Sequence, residues 1–456
     1  MSHRGVKALL LACTGIGTLL AATAAANAGG FALREQSAYG QGSSFAGVAA
    51  GGSLSSMFWN PATMTQVPGI QVEAVASGII PVSTHTTSAS STLAVLGGAG
   101  DSADDAIVPA GYFSWQLNPQ LWLGISVNSP FGLSVSFPDA WAGRNYAGNT
   151  TLKSYNATPS LAYQINNWIS VGVGVQIEYA KADLTTGLPV NGLGGGFPGI
   201  GNQATISGHG WGYGLTAGLT LTPTPTTTIG LGYRSAINQK IDGTLTLPPG
   251  VLYTPPGGST PGDVNTTLDL PDVVSLGLRQ QLTPQWMLMA TAEWTNWSRI
   301  GTSNVTQSNG APATILAGHG GGPVTLPFQY RDGWFFALGA EYQWTDRLAV
   351  RGGVGFERTP ISDQVRTPRL PDNDRTWLSL GSTYKLTKAL SFDIAYSHLI
   401  VKDTSVNISN SSNPWFNGLV SYVGSVDSHV DIISVALKYR FDEPAPAKSP
   451  MYTKAR

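Results

Sequence analysis

Six histidines and one cysteine are all that this 456-residue sequence offers for nucleophilic or metal chemistry. His85, His209, His319, His398 and His429 lie tens of residues apart, and none falls in an HExxH or other metal-ligand spacing. There is no Gly-x-Ser-x-Gly elbow and no phosphate-binding loop. A hydrolase working on the lipid face of a membrane protein needs a serine beside a histidine, and His398 has no such partner legible in the chain. No catalytic residue, no metal and no cofactor is therefore expected. What remains for recognition is charge and apolar surface. Arg234 and Arg279 sit in alternating stretches and could anchor a carboxylate. Phe131, Leu133, Phe137 and Trp141, with Leu188, Leu193 and Phe197, sit in Gly- and Ser-rich stretches and could hold an apolar body.

The elements that position these residues begin with an export signal. Arg4 and Lys7 precede an apolar run from Ala8 to about Ala26, and Ala26-Asn27-Ala28 is a small-x-small cleavage site. The mature chain is expected to start at Gly29. A lipobox-like Leu10-Leu11-Ala12-Cys13 offers a rival reading, but the apolar run continues well past Cys13. Cys13 is the sole cysteine, so cleavage leaves a mature protein with no disulfide. The net charge is −1, which gives no reason to expect a nucleic-acid partner. Charged residues make up only 11%, against about 25% in ordinary soluble domains. Beyond the leader no uninterrupted apolar run approaches the ~20 residues of a transmembrane helix. Few charges, 56 glycines and 13 tryptophans without such a helix point to the other structure that satisfies its backbone in lipid, a closed barrel.

Alternation with period two supports this. It predicts an all-β, antiparallel barrel with strands at 69–82, 107–117, 121–128, 153–165, 168–184, 208–221, 227–241, 266–282, 286–297, 330–344, 348–358, 375–386, 390–401 and 430–441. That makes fourteen, an even number as a single-chain bacterial barrel requires. Connections alternate short and long. The short ones, such as Asn166-Asn167, Thr283-Pro284-Gln285 and Thr387-Lys388-Ala389, carry turn-forming residues. A soluble β-sandwich has no reason to alternate in this way, whereas outer-membrane barrels join short periplasmic turns to long outer loops.

The apolar face of each strand is expected outward, with Trp286, Trp294, Trp344 and Tyr342 in interfacial girdles. Ionised groups on the lipid face cost about 2–4 kcal/mol near midplane. Strand parity therefore turns Arg234, Arg279, Arg331, Arg351 and Lys385 inward, together with Glu178, Glu293, Glu341, Glu357 and Asp393. They read either as a ladder of braces or, one of them, as a ligand anchor. The same face carries many glycines, which leaves space that something must fill. The segment 29–68 does not alternate. It reads as a compact plug folded into the lumen of the barrel at 69–441, and 442–456 as a flexible periplasmic tail.

The chain resembles the FadL-type family of outer-membrane transporters of long-chain fatty acids and aromatic hydrocarbons. Phe31, Glu35, Gly40, Ala46-Gly47 and Asn60-Pro61-Ala62 match its N-terminal hatch. Ser129-Pro130-Phe131-Gly132-Leu133, with Trp141, Gly143 and Arg144, matches a stretch after the third strand. Tyr330-Arg331-Asp332, Thr367-Pro368-Arg369, Pro371-Asp372-Asn373-Asp374-Arg375 and Tyr396-Ser397-His398 follow in order. The resemblance implies fourteen strands, a hatch, a monomer, and ligand leaving sideways through a gap at a kinked third strand, here at Asn128, Ser129 and Pro130. Pro130 removes a ladder donor, so it reads either as that kink or as the plain end of a strand.

On this basis the expected activity is passive passage of hydrophobic small molecules across the outer-membrane lipid, gated by movement of the hatch. Fatty acids, aromatic hydrocarbons and, in a different class, a general porin for polar solutes remain alternatives. Tyr439-Arg440-Phe441 suits recognition by the barrel-assembly machinery, although the tail makes that signal internal.

Overall fold

The computed structural model describes residues 29–188, 203–247, 262–313 and 323–441. The expected leader and C-terminal tail lie outside them. Fourteen antiparallel strands form the wall: β1 (Ile70–Thr87), β2 (Ala106–Asn118), β3 (Leu121–Asn128, continued as Gly132–Val135), β4 (Thr150–Gln164), β5 (Ile169–Gly187), β6 (Gln203–Thr224) and β7 (Thr227–Arg234 and Ile237–Thr246). The second half comprises β8 (Asp263–Leu270 and Val273–Gln281), β9 (Trp286–Thr295), β10 (Gly333–Gln343), β11 (Leu348–Arg358), β12 (Arg375–Lys385), β13 (Leu390–Val401 and Thr404–Ile408) and β14 (Tyr422–Arg440). β14 pairs with β1 from Gln71↔Arg440 to Thr87↔Gly424, so the sheet closes into a barrel.

The short turns are set by local side chains. Asn166 Oδ1 accepts from the backbone of Trp168 and Ile169, each at 2.9 Å. Thr345 and Thr387 hydroxyls accept from Leu348 and Leu390 N–H, each at 3.0 Å. These bonds satisfy donors that the tight reversal would otherwise strand. Trp286 and Tyr342 pack with ring centroids 4.8 Å apart at the turn end. Trp294 donates to Asp332 at 3.0 Å at the loop end. The two levels match the expected girdles.

Two predicted strands, 227–241 and 266–282, are each interrupted. The breaks, at Ser235-Ala236 and Pro271-Asp272, lie side by side, and Asp272 Oδ1 accepts the Ala236 N–H across them at 3.0 Å. Pro271 has no N–H to give a ladder, so the sheet bends there. Arg331 is a further correction. β10 begins only at Gly333, and Arg331 is an exposed loop residue rather than a lumen-facing one.

Residues 29–69 run inside the wall. They form one turn of helix, α1 (Ala38–Gln41), capped by the Ser37 hydroxyl on Gly40 N–H at 3.0 Å, and a series of 3₁₀ turns, the last at Pro61–Gln66. Phe45, Ala49 and Met64 of this segment are fully buried with Tyr112, Phe335 and Trp377 of the wall. A second apolar cluster fills the outer half, among the long loops.

Candidate functional site

The glycine face of the strands has a direct use: the backbone of the inner segment passes where side chains would stand. A Cβ on Gly218 would come within 1.8 Å of Asn60 Oδ1, on Gly230 within 1.8 Å of Ala49 O, and on Gly232 within 1.9 Å of Trp59 O. Asn60 binds both sides of this contact. It donates to Ala49 O at 2.7 Å and to Leu219 O of β6 at 3.0 Å, and accepts from Ala62 N–H at 3.0 Å. Pro61 opens the 3₁₀ turn, where a missing N–H costs nothing.

The cations named from sequence also face this segment. Arg234 donates to Phe58 O at 3.1 Å and lies 4.2 Å from the Phe58 ring centroid. Arg279 donates to the Tyr39 hydroxyl at 2.9 Å and Gly51 O at 3.3 Å. Arg34 pairs with Glu293 at 2.7 Å and Glu357 at 3.5 Å. Glu35 beside it is buried, with Oε2 unbonded. Burial pushes its carboxyl up to about 7.

At the third strand the wall is open. β2 and β3 stay paired only from Asn118↔Leu121 to Gly111↔Val127, and the Gly132–Val135 piece pairs with β4 alone among the strands. Pro130 thus interrupts the strand rather than ending it. The inner segment covers this break: Leu33 N–H donates to Pro130 O at 2.8 Å and Gly132 N–H to Phe31 O at 2.9 Å. Asn128 donates to Gln36 Oε1 at 3.1 Å and to the Tyr112 hydroxyl at 2.7 Å, while Gln36 donates to Ser129 O at 2.9 Å. No sequence signal marked Gln36 or Tyr112, because the bonds that tie Gln36 to the wall reach about 75–95 residues along the chain.

Above the break lie two adjoining cavities, of about 360 and 100 Å³, that share Leu184, Ile206, Leu326, Phe328, Trp415 and Arg369. Phe31 and Leu133 line the smaller, strongly apolar one. Leu188 and Trp415 help line the larger. Phe131 lines a further pocket of about 70 Å³ with Leu33, Pro130, Trp297 and Arg234. Phe137 and Trp141 stack at 4.8 Å and pack against His85 and Tyr422 within the loops, lining none of these cavities. Leu193 and Phe197 lie outside the described residues.

Arg369 is the cation that sequence reasoning passed over as a site. Its hydrogen bonds go to neutral oxygens: Thr185 O at 2.9 Å, Thr186 Oγ1 at 2.8 Å, and Tyr146 O and Thr150 Oγ1. It forms no ion pair among the described residues, and burial pulls its guanidinium down to about 10, so it stays charged at neutral pH. Nothing in the spacing of its loop sets it apart from its neighbours Arg366 and Arg375, which are paired with Asp363 and Asp372.

His85 does meet a serine, with Nε2 2.9 Å from Ser102 Oγ, but its Nδ1 has no partner, so no acid orients the ring as a hydrolytic triad requires.

Similarity to known proteins agrees with this geometry. Residues 19–441 match the model of the outer membrane protein transport family described as OMPP1/FadL/TodX. Outer membrane protein P1 of Haemophilus influenzae (strain Rd) is 29% identical over 93% of this chain and 97% of its own. The long-chain fatty acid transport protein of Escherichia coli K12 is 28% identical over 83% of this chain and 89% of its own. A FadL homologue from Pseudomonas aeruginosa superposes with a TM-score of 0.78 at 26% identity, covering 91% of this chain and all of its own. The Pseudomonas putida toluene transporter TodX, at 18% identity and a TM-score of 0.65 over 90% of this chain and 99% of its own, shares the fold. The chain belongs to the OMPP1/FadL/TodX family of outer-membrane transport proteins: it is a transporter of hydrophobic compounds in the outer membrane, and not an enzyme.

Proposed function

We propose that the compounds carried are long-chain fatty acids, with the carboxylate held at Arg369 and the alkyl chain in the adjoining apolar cavity. The observation that carries this reading is a half-buried guanidinium, charged at neutral pH and without an acidic partner among the described residues, at the edge of an apolar space. An anion there gains a charge-assisted bond, and the chain gains ~25 cal/mol per Å² removed from water. The relative named a long-chain fatty acid transport protein points the same way.

From the outer cavity the acid passes Phe31, Phe131 and Trp297, whose rings lie 4.9–6.2 Å apart, to the pocket that touches Pro130. It leaves through the break at Asn128, Ser129 and Pro130 once Phe31–Leu33 withdraws. Ligand binding selects the withdrawn state, so no energy source is needed. The protein works as a monomer, and Tyr439-Arg440-Phe441 is the end read by the barrel-assembly machinery.

The aromatic lining of the cavity, Phe31, Phe328, Tyr330 and Trp415, favours a second reading, an aromatic-hydrocarbon channel. The deciding experiment is growth on oleate by a Gram-negative host that lacks its own fatty acid channel and expresses this chain, with heat-modifiable migration as proof of folding. Growth supports the first reading. Toluene uptake without growth on oleate supports the second. A folded barrel that supports neither overturns both.

A further inference from the structure

A fourth cavity, of about 390 Å³, opens at the opposite end of the lumen, beneath the hatch. Arg279, Arg351, Lys385, Lys438 and Arg440 line it, against one carboxylate, Glu341. Two further acids stand behind the lining. Asp393 takes Lys438 at 2.5 Å, and Glu73 is turned to the hatch, accepting from Ser53 Oγ and Ser55 N–H. Positive charge therefore remains in excess, and it converges on one ring. The centroid of Tyr39 lies 4.0 Å from Arg351 Cζ, 4.9 Å from Lys438 Nζ and 5.6 Å from Arg279 Cζ.

Hydrogen bonding leaves this set unfinished. The Arg351 side chain is fully buried, and Nε pairs with Glu341 at 2.9 Å. Its Nη1 makes no hydrogen bond, and the Asp393 oxygen it faces is 4.0 Å away. Among the described residues Arg279 has only neutral acceptors: Tyr39 Oη, Gly51 O and Met289 Sδ. A buried donor without an acceptor is costly, and a guanidinium fork fits a two-oxygen anion best.

We propose that this cavity binds a small oxyanion, a carboxylate or phosphate group, that enters from the periplasmic side. Bound there, it supplies the acceptor that Arg351 Nη1 lacks and an anionic partner for Arg279. It competes with the Tyr39 hydroxyl for Arg279, so occupancy from below loosens the hold of the wall on the hatch. The site is separate from Arg369 and does not depend on which hydrophobic compound is carried.

The test is calorimetric titration of the purified, folded barrel in a non-ionic detergent with two probes, inorganic phosphate and octanoate. Lys385→Gln/Arg440→Gln is the main variant, because both residues sit at the rim. Arg279→Gln is the second, and Lys388→Gln, a turn cation outside the cavity, is the control. Saturable binding is expected for at least one probe. The double variant and Arg279→Gln should each weaken it tenfold or more, and Lys388→Gln should leave it unchanged. Phosphate bound through these cations identifies a free anion as occupant. Octanoate bound through them, with phosphate inert, identifies the head of an amphiphile. If neither probe saturates, or the lining variants bind like the wild type, the site does not exist.

Discussion

Ala32 and Phe131 face each other as an isolated antiparallel bridge, the one place where the hatch pairs with the barrel wall as a strand would among the described residues. The flanking bonds, Leu33 N–H to Pro130 O and Gly132 N–H to Phe31 O, enclose the pair without passing through it. That is the non-hydrogen-bonded type of antiparallel pair, with Cα atoms about 4.5 Å apart. The hatch thus completes, with main-chain bonds, the strand that Pro130 interrupts.

This geometry suits a disulfide, and none of residues 29–456 is a cysteine that could compete. Ala32→Cys/Phe131→Cys is expected to cross-link on oxidation and to cut ligand uptake at least tenfold. A reductant should restore uptake. Uptake that is indifferent to the cross-link would show that Phe31–Leu33 need not leave the break.

Arg369→Gln removes the charge from the apolar cavity while keeping most of the side chain. Loss of a charge-assisted bond is worth ~1.5–3 kcal/mol, so oleate affinity should fall roughly ten- to a hundredfold. Binding of toluene should not change. Because burial leaves Arg369 titrating only near about 10, wild-type affinity should show no contribution from its deprotonation between pH 6 and 8.

Glu35 is expected to make the hatch pH-sensitive. Its carboxyl is raised from 4.5 to about 7, with burial the main cause. The folded hatch therefore holds the proton more tightly than the unfolded one. This contribution to stability is complete below about 4.5 and is lost as pH rises through about 7. Ion conductance through barrels in planar bilayers should rise severalfold from pH 5 to pH 8 as the hatch loosens. Glu35→Gln should flatten that rise. An equal rise in the variant would assign it to another group.

Gly230→Val tests the contact between wall and hatch. Its Cβ would meet Ala49 O at 1.8 Å, a backbone atom that cannot rotate away. The hatch should be displaced and conductance should rise, while heat-modifiable migration shows an intact barrel. Gly78→Val is the control, since its Cβ would find its nearest neighbour 3.8 Å away. Equal conductance in the two variants would mean that the hatch accommodates the intrusion.

Much of the barrel was legible in the sequence because its two determinants are local. Strand identity depends on period-two alternation, and strand order depends on turns such as those at Thr345 and Thr387, which bond their own neighbours. The glycine face announced that the lumen holds something, and Asn60-Pro61 that the segment before β1 turns. The breaks in β7 and β8 were not legible. Ser235-Ala236 carries no breaker, and its break is stabilised by Asp272, which comes near only when the two strands pair.

The sequence by itself determined that the chain is a closed barrel with a non-strand segment to place, since lipid forces every backbone group in the wall to be paired and alternation is the local mark of that requirement. Only the tertiary structure decided which of the cations borders the strongly apolar cavity. Arg234, Arg279 and Arg369 look alike as residues in a chain. Folding turns Arg234 to Phe58 and Arg279 to Tyr39, while it leaves Arg369 beside an apolar cavity without an acid among the described residues. The difference lies in partners about 175–240 residues away, and no spacing encodes a contact made across a lumen.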